Sequence, residues 1–429
     1  MHGAESDLSR PGSWVPVEGR VSLYGHLAKA CGQMLYPSDL SLPGMLIGKA
    51  LRSPYPHCRI NHINTRPALE VPGVHAVLTG QDIPGVNKVG KTVEDQPFLV
   101  TKRARTVMDA LAIVAAETEE AADAALAAIE LDLTPLPAVF DPKEALKPEA
   151  PQIYPGGNLL MHFEIVHGDA EAGMAEADVI VENTYYSPWI EHAFLETEAV
   201  VAAPDNDGVI TVWLGCHYIY GERAVLAHAF GWPEQRFRVI LVPPGGSFGG
   251  KDDNIIPVWA ALLAYRTGCP IRFAFNRRES MRGHSKRHSQ RIEYRLGARA
   301  DGKLVAAQVR ILSDTGAYAH WAEGILHFAS IHVVGPYCVP NAHIETRAVY
   351  TNNIVAGAMR CWGTPGVEFA AESQMDILAE RLGMHPLKLR WINALREGDT
   401  TITGRLPRGC NFVDTLEAAA RSIDLDLRE

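Results

Sequence analysis

The residues best placed to do chemistry lie in a glycine-rich run, residues 244–253, which holds four glycines within six positions. Glycine has no side chain to hide the backbone N–H groups, so such a loop can bind an anion or a cofactor. We predict a strand at residues 237–242 before the loop and an apolar helix at residues 254–265 after it. A strand, a glycine loop and a helix N-terminus together form a cradle for a negatively charged ligand.

The same loop matches part of a nucleotide-binding motif. Gly245, Gly250 and Lys251 have the G-x-x-x-x-G-K spacing of a Walker A loop, but the next position holds Asp252 where that motif needs a Ser or Thr for magnesium. A carboxylate there would lie close to the nucleotide phosphates and repel them. A P-loop nucleotide hydrolase and a tight glycine turn that binds nothing are therefore kept as alternatives.

Three further runs are dense in reactive or rigid residues: residues 189–196, 282–288 and 357–363. The last of them places Arg360, Cys361 and Trp362 directly before a Thr-Pro pair at which a helix is predicted to begin. An arginine offers fixed bidentate donors, and a tryptophan offers a flat surface on which a ring can stack.

Each of these runs also has an interpretation without chemistry. Glu191 and His192 suit a buried ion pair or a hydrogen-bonded pair in the core. Residues 282–288, taken alone, suit a solvated basic face. Cys361, taken alone, suits an inert buried thiol.

The elements that must position these residues follow from the apolar pattern. Before residue 155 we predict strands at residues 45–51, 74–79 and 111–116, a helix at 117–130 and an edge strand at 131–133. After it we predict fewer helices than strands, with the clearest helix at residues 366–382. The strands are predicted at residues 178–186, 200–204, 209–214, 237–242, 292–296, 304–313 and 343–350.

This pattern predicts an α+β protein in three parts. Residues 1–20 form an N-terminal arm, residues 21–155 a mixed first domain, and residues 156–429 a second domain. The boundary falls in the proline-bearing stretch at residues 134–157, which has the composition of a linker.

Bulk composition limits the partners. The 429 residues carry a net charge of −10 without a long basic block, which argues against nucleic acid and anionic membranes and favours a small-molecule substrate. The seven cysteines are scattered and never fall as C-x-x-C, so no zinc or iron–sulfur site is recognisable. No run reaches the 18 apolar residues of a membrane span, and we expect a soluble cytoplasmic protein.

Taken together, the motifs resemble those of the xanthine dehydrogenase and aldehyde oxidase family of molybdenum hydroxylases. The resemblance covers the chain from about residue 21 and rests on the following set: residues 245–252, E-H-x-x-L-E at 191–196, R-H at 287–288, A-M-R-x-W-G at 358–363, L-R-S-P-Y-P-H at 51–57, D-T-G-A-Y at 314–318 and Y-T-N-N at 350–353. It implies that residues 21–155 form an α/β hammerhead-like domain and that residues 156–429 form the first molybdopterin-binding domain.

The resemblance also implies a cofactor, molybdenum held by a pyranopterin in its cytosine dinucleotide form, with no side chain of the protein as a metal ligand. The cofactor-binding residues carried over are Gly246, Phe248, Gly249, Gly250, Arg360 and Cys361. The catalytic residues carried over are Asp252, Arg360 and Trp362. In these roles Arg360 stabilises negative charge that develops on a ring, Asp252 bonds a ring N–H, and Trp362 stacks on the ring.

The chain departs from the family pattern at three places. Ile190 stands where purine hydroxylases have a glutamine, and no arginine occurs between Asp314 and Arg347, where those enzymes place one on the substrate. Cys361 stands where carbon monoxide dehydrogenases have a copper-binding cysteine, but the residues that follow do not continue that motif. These departures count against a purine substrate and against copper chemistry.

The family's molybdenum-binding region normally continues well beyond this chain's last residue. The resemblance therefore implies a split subunit, whose companion carries the C-terminal half of the region and a glutamate general base. Without clustered cysteines or a flavin fingerprint here, [2Fe-2S] and FAD are expected on separate subunits. The expected activity is hydroxylation of an N-heteroaromatic compound, nicotinate-like or purine-like, and the alternatives are an aldehyde oxidoreductase subunit and a non-catalytic assembly subunit.

Overall fold

The computed structural model describes residues 26–252, 255–405 and 408–428. The arm predicted for residues 1–20 lies outside the described residues, as do residues 21–25. None of the described helices combines the length and the apolar character that a membrane-crossing helix needs.

The described part of the chain forms fifteen strands and twelve α-helices. The strands are β1 (Leu46–Arg52), β2 (Cys58–Asn64), β3 (Val74–Thr79), β4 (Arg103–Ala104), β5 (Ala110–Ala116), β6 (Glu130–Pro135), β7 (Leu159–His167), β8 (Val179–Ser187), β9 (Ala199–Pro204), β10 (Ile210–Leu214), β11 (Phe237–Leu241), β12 (Ile271–Ala274), β13 (Ser289–Ala298), β14 (Leu304–Gly316) and β15 (Ala342–Tyr350). The helices are α1 (His26–Ala30), α2 (Arg66–Leu69), α3 (Glu119–Ala128), α4 (Pro142–Ala145), α5 (Ala170–Ala175), α6 (Ile219–Phe230), α7 (Ile256–Thr267), α8 (Arg277–Gly283), α9 (Ala322–His332), α10 (Thr364–Leu382), α11 (Pro386–Asn393) and α12 (Phe412–Arg421).

The largest sheet has the strand order β11-β10-β9-β12-β1-β5-β3. Its centre joins strands that are far apart in sequence, because β1 pairs in parallel with β12 and antiparallel with β5. Every residue of β5 is buried, as expected for a strand that is covered on both faces. The apolar helix α7 packs on β9, β10 and β12 and supplies the indole of Trp259 to this core.

A second sheet has the order β7-β15-β14-β13-β8. Its strand β13 alternates buried and half-buried side chains, so one face points into the core. The long helix α10 covers that face by packing on β8 and β13, and α9 packs on β15. A small third sheet, β4-β2-β6, completes the part of the chain before residue 155.

The α+β class and the predicted strands are confirmed, as are the helices that correspond to α3, α7 and α10. Helices are fewer than strands after residue 155, as predicted, but only by one, since nine strands, β7 to β15, and eight helices, α5 to α12, lie there among the described residues. The two longest that the sequence did not indicate are α6 and α9, which have mixed polar and aromatic sequences and are stabilised by tertiary packing. The division at residue 155 stays a prediction.

Candidate functional site

Four connecting segments meet at one place in the structure: residues 188–198 between β8 and β9, 242–252 after β11, 284–288 before β13, and 351–363 before α10. Main-chain hydrogen bonds join them. Arg287 donates its N–H to the carbonyl of Ile190 (3.0 Å), and Gly357 donates to the carbonyl of Lys286 (2.9 Å). Residues from all four motif-bearing runs are therefore brought into one neighbourhood.

The glycine loop, residues 244–252, is anchored by a buried ion pair. The Nζ atom of Lys251 lies 2.7 Å from Oε2 of Glu196, and the N–H of Gly245 donates to the same oxygen at 2.6 Å. Lys251 is only 1% exposed, and its ammonium group lies 4.8 Å from the centre of the Phe194 ring. A Walker A lysine must reach a phosphate, so this buried and paired lysine argues against the nucleotide hydrolase.

The tip of the loop lies directly against residues 358–360. A Cβ atom added to Gly249 would lie 2.6 Å from the carbonyl oxygen of Ala358, and the φ angle of Gly249 is +98°. Next to it, the N–H of Arg360 donates to the carbonyl oxygen of Phe248 at 2.9 Å. Only glycine allows this close approach of two main chains, which holds the loop and the Arg360 segment together as one wall.

The backbone at this wall is strained. Phe248, Cys361 and Trp362 have φ angles of 52°, 68° and 46°, which side chains of this size rarely adopt. Each such residue costs on the order of 1–3 kcal/mol, and residues of this kind cluster at functional sites. The strain therefore supports a functional role for the wall.

Two guanidinium groups lie beside the wall. Arg287 is buried, and its Nη2 atom donates to the carbonyl oxygen of Arg360 at 3.0 Å. Its Nε and Nη1 atoms are buried without a hydrogen-bond partner in the described part of the chain, and burial lowers its pKa. Arg360 is exposed, and no ion pair is found for it among the described residues. Two cations without counter-ions fit an anionic ligand.

Behind the wall lies a buried ionic cluster centred on His284. Its Nε2 atom is 2.9 Å from Glu191, its Nδ1 atom is 2.6 Å from Glu198, and Lys286 is 2.7 Å from the other oxygen of Glu191. Burial alone would raise the pKa of Glu191, but hydrogen bonds from His284 and Lys286 outweigh it and lower that pKa to about 2. His192 links the cluster to the wall, since its Nε2 atom is 2.8 Å from the carbonyl oxygen of Ala358.

Glu191, His192 and His284 have ligand atoms within 4.8 Å of one another, the spacing of a metal site. The ammonium group of Lys286 already neutralises Glu191, however, and His284 lies between two carboxylates. The arrangement suits an ion-paired network that supports the wall better than it suits a bound cation.

The cluster gives a pH-dependent prediction for His284→Gln. Burial lowers the pKa of His284, but its hydrogen bonds to Glu191 and Glu198 outweigh burial and raise that pKa above 6.5. The charged imidazole therefore stabilises the fold fully below pH 6.5, and this contribution is lost as the pH rises through the raised value. We expect the variant to be less stable than the wild type by about 1–3 kcal/mol at pH 6, with a gap that narrows at higher pH.

Urea unfolding of both proteins at several pH values measures this gap. The exposed His62→Gln is the matched control and should show no such trend. A gap for His284→Gln that stays constant from pH 6 to alkaline pH contradicts the assignment of a charged His284.

A cavity of about 380 Å³ lies beside the glycine loop. Asp252 and Trp362, both predicted site residues, line this cavity. Further lining residues, which the sequence did not mark as site residues, include Val89, Lys91, His217, Tyr218, Glu222, Val225, Ile255, His320 and Trp321. The ring centres of Trp362 and Trp321 are 5.3 Å apart. Nδ1 of His217 lies 3.2 Å from Oδ1 of Asp252 and can orient that carboxylate. The volume suits a small organic ligand.

The structure therefore brings the predicted residues together in two groups. Gly246, Phe248, Gly249 and Gly250 lie on the loop that the main chain of Arg360 contacts, and Cys361 follows Arg360 in the chain, while Asp252 and Trp362 share the cavity. Their individual roles remain predictions. Cys361 is exposed, so the interpretation of an inert buried thiol is wrong.

The interpretation of residues 282–288 as a solvated basic face is also wrong, because residues 283–288 are all buried. Glu191 does form a buried ion pair, but its partners are His284 and Lys286 and not its neighbour His192. The sequence predicts no individual role for Arg287, although the R-H motif at residues 287–288 contains the signal.

Comparison with protein families gives two matches. Residues 153–394 match the molybdopterin cofactor-binding domain, and residues 31–137 match the a/b hammerhead domain of aldehyde oxidase and xanthine dehydrogenase. The first match covers more than half of the chain. The expected order, a hammerhead domain followed by a molybdopterin-binding domain, is confirmed.

Individual proteins agree with these matches. The chain is 43% identical to a probable xanthine dehydrogenase subunit of Bacillus subtilis over 86% of its length, but it spans only 50% of that protein. It is 36% identical to the nicotinate dehydrogenase large molybdopterin subunit of Eubacterium barkeri, covering 92% of this chain and 93% of that protein. The solved structure of an aldehyde oxidoreductase from Desulfovibrio gigas superposes with a TM-score of 0.89 at 29% identity, over 94% of this chain and 46% of that one.

Proposed function

This chain belongs to the xanthine dehydrogenase and aldehyde oxidase family of molybdenum hydroxylases, and from that premise we propose that it is the molybdopterin-binding part of a multi-subunit enzyme. The proposed reaction is hydroxylation of an N-heteroaromatic compound with oxygen taken from water. The observation that carries the proposal is the wall at which the glycine loop meets Arg360, with Asp252 and Trp362 in the adjoining cavity.

The residues present fit an anionic pterin cofactor. The N–H groups of the loop are bared by glycine, Ser247 has a buried hydroxyl without a hydrogen-bond partner in the described part of the chain, and Arg287 has two such buried N–H groups. A Cβ atom at Gly249 would collide with the main chain of Ala358 and so push the loop away from the Arg360 segment. We propose that the cofactor is held by Gly246, Phe248, Gly249, Gly250, Arg360 and Cys361, with Arg287 behind them, and that Arg360 contributes to this wall through its main chain. When bound, the cofactor supplies the two-electron oxidation and the oxygen transfer.

The chain's own residues would position and polarise the substrate. Hydroxylation of an electron-poor ring builds up negative charge on it, and a guanidinium fixed at Arg360 stabilises that charge. Asp252, oriented by His217, accepts a hydrogen bond from a ring N–H, a group that a purine carries and that a pyridine carries in its protonated form. Trp362 and Trp321 offer aromatic faces that hold a flat ring in one orientation.

An aldehyde substrate is the second candidate, favoured by the structural similarity to an aldehyde oxidoreductase. Asp252 argues against a simple aldehyde, because an aldehyde has no N–H group to donate to a carboxylate. The non-catalytic assembly subunit remains the alternative of another class, and an intact complex without molybdenum would support it.

Companion subunits are part of the proposal. Leu195 is 92% exposed, and Ile190 and Phe248 are also exposed beside the wall, where a partner would cover them. We propose a second molybdopterin-binding subunit that brings the C-terminal half and the glutamate base, together with a [2Fe-2S] subunit and an FAD subunit in the cytoplasm. The cytosine dinucleotide form of the cofactor belongs to the same proposal.

A substrate screen of the purified complex tests the reaction class. Nicotinate, xanthine and benzaldehyde are each incubated with the complex and an artificial electron acceptor in heavy-oxygen water. We expect labelled hydroxynicotinate to form fastest. Turnover of benzaldehyde alone would establish the aldehyde alternative instead.

Asp252→Asn separates the two substrate classes further. An amide cannot accept a charge-assisted hydrogen bond from a ring N–H, so we expect kcat/KM for the N-heteroaromatic substrate to fall about tenfold or more. Any turnover of benzaldehyde should change by less than about twofold, since no such bond is made. The exposed Asp207→Asn serves as the matched control. An equal loss for both substrates would contradict the role of Asp252.

A further inference from the structure

The cavity beside the glycine loop contains a lysine that the proposed function does not use. Lys91 lines it together with Asp252, although Lys91 comes from the connection between β3 and β4 and Asp252 from the glycine loop. The connection between β3 and β4 thus contributes the ammonium group of Lys91 to this cavity. The lining residues outside that connection all come from residue 217 onward.

The main chain around Lys91 is well fixed. Val89 and Gln96 exchange two main-chain hydrogen bonds of 2.7 and 3.1 Å, which close a tight hairpin around residues 90–95. Gly90 lies so close to the carbonyl of Val93 that a Cβ atom could not be accommodated there. Lys91 is therefore presented from a constrained turn and not from a long loose loop.

The ammonium group of Lys91 is held over an aromatic ring. Its Nζ atom lies 5.1 Å from the ring centre of Trp321, within the range of a cation–π contact. Among the described residues, no carboxylate forms an ion pair with Lys91 within 4 Å of its Nζ atom. A cation that has an aromatic support but no counter-ion is available to an anion on a ligand.

The rest of the cavity limits what that anion can be. Tyr218, Trp321 and Trp362 give aromatic walls, and the volume of about 380 Å³ suits one flat ring with a small substituent. Asp252 and Glu222 also line the cavity, and they would repel a doubly charged phosphate more strongly than a singly charged carboxylate.

We propose that Lys91 binds a carboxylate on the substrate ring, so that the site selects N-heteroaromatic carboxylic acids over uncharged rings. Asp252 then accepts a hydrogen bond from the ring nitrogen in its protonated, pyridinium form, and Lys91 faces the acid. This inference rests on the proposed function and narrows its substrate class to anionic rings. Lys91 is a residue that determines specificity and takes no part in the chemical step.

The test compares nicotinate with nicotinamide, its uncharged analogue of nearly the same shape, in the purified complex. Lys91→Gln is expected to raise KM for nicotinate about tenfold or more, as loss of a charged hydrogen bond predicts, and to leave kcat and the KM for nicotinamide nearly unchanged. Lys91→Arg should retain most of the preference for the acid. Lys88→Gln, an exposed lysine of the same connection that does not line the cavity, is the matched control.

Equilibrium binding of nicotinate, followed by quenching of tryptophan fluorescence in the same complex, separates this inference from the proposed function. If nicotinate binds more weakly to Lys91→Gln than to the wild type, the inference is supported, even when no N-heteroaromatic compound is turned over. Such an absence of turnover would overturn the proposed reaction alone. Turnover of nicotinate and nicotinamide with equal KM values overturns the inference and leaves the proposed reaction standing. Equal binding of nicotinate to wild type and Lys91→Gln, or no binding to wild type, also overturns it.

Discussion

Replacing Arg360 by alanine is expected to lower kcat of the assembled complex by about 100- to 1,000-fold, the usual cost of removing one charge-stabilising donor. The molybdenum content should stay at the wild-type level. We expect activity and molybdenum content to respond differently because the main chain of Arg360 makes the contacts that hold the wall together. Its N–H donates to the carbonyl oxygen of Phe248, and its own carbonyl oxygen accepts from the guanidinium of Arg287, so neither contact needs the Arg360 side chain. The exposed guanidinium is left free to act on the substrate.

Steady-state kinetics and metal analysis of the same preparation measure both quantities. Arg360→Lys should recover only part of the loss, since a lysine cannot reproduce the planar, bidentate donors of arginine. Arg266→Ala, at the exposed end of α7, is the matched control and should leave kcat unchanged. If Arg360→Ala loses molybdenum in proportion to its activity, the guanidinium of Arg360 is needed to retain the cofactor, and its separate role in catalysis is contradicted.

Gly249→Ala is expected to produce the second large effect, a loss of cofactor. The new methyl group would lie 2.6 Å from the carbonyl oxygen of Ala358, and alanine would also have to adopt a φ angle of +98°. Overpacking and backbone strain each cost on the order of 1–3 kcal/mol, and relief of both requires the loop to leave the Arg360 segment. We expect the molybdenum content of the purified complex to fall about 100-fold.

A second glycine separates the clash from the backbone strain. Gly268 ends α7 with a φ angle of +71° and has no atom within 4 Å of an added Cβ. Gly268→Ala should therefore lose stability, by about 1 kcal/mol, and keep its molybdenum. Equal molybdenum in Gly249→Ala and wild type would show that the contact between the loop and Ala358 is not needed to retain the cofactor.

Much of the fold could be predicted from local pattern. The alternation along β13 and the continuous apolar run of β5 identify strands with opposite environments, and Thr118 and Gly383 cap helices α3 and α10 at their ends. Helix α6 also ends at a glycine cap, Gly231, but neither α6 nor α9 begins with a side-chain cap, and packing against neighbouring elements keeps both helical.

Only the site residues that lie in a recognisable sequence motif could be predicted. The glycine loop and residues 358–363 could be named from the sequence, but no spacing rule links them to Lys91 or Trp321, which reach the cavity through tertiary structure alone. Residues 282–288 are the clearest failure of local reasoning. A run so rich in arginine, lysine and histidine suggests a solvated surface, and only the structure provides the carboxylates of Glu191 and Glu198 that allow His284 and Lys286 to be buried.

Metal and pterin analysis of the intact complex tests the central claim most directly, namely that the glycine loop and residues 358–362 form a wall of a molybdopterin site. The wild-type complex is expected to contain molybdenum and pterin in proportion to this chain, and the Gly249→Ala complex to contain little of either. A fully assembled wild-type complex that lacks both would contradict the claim.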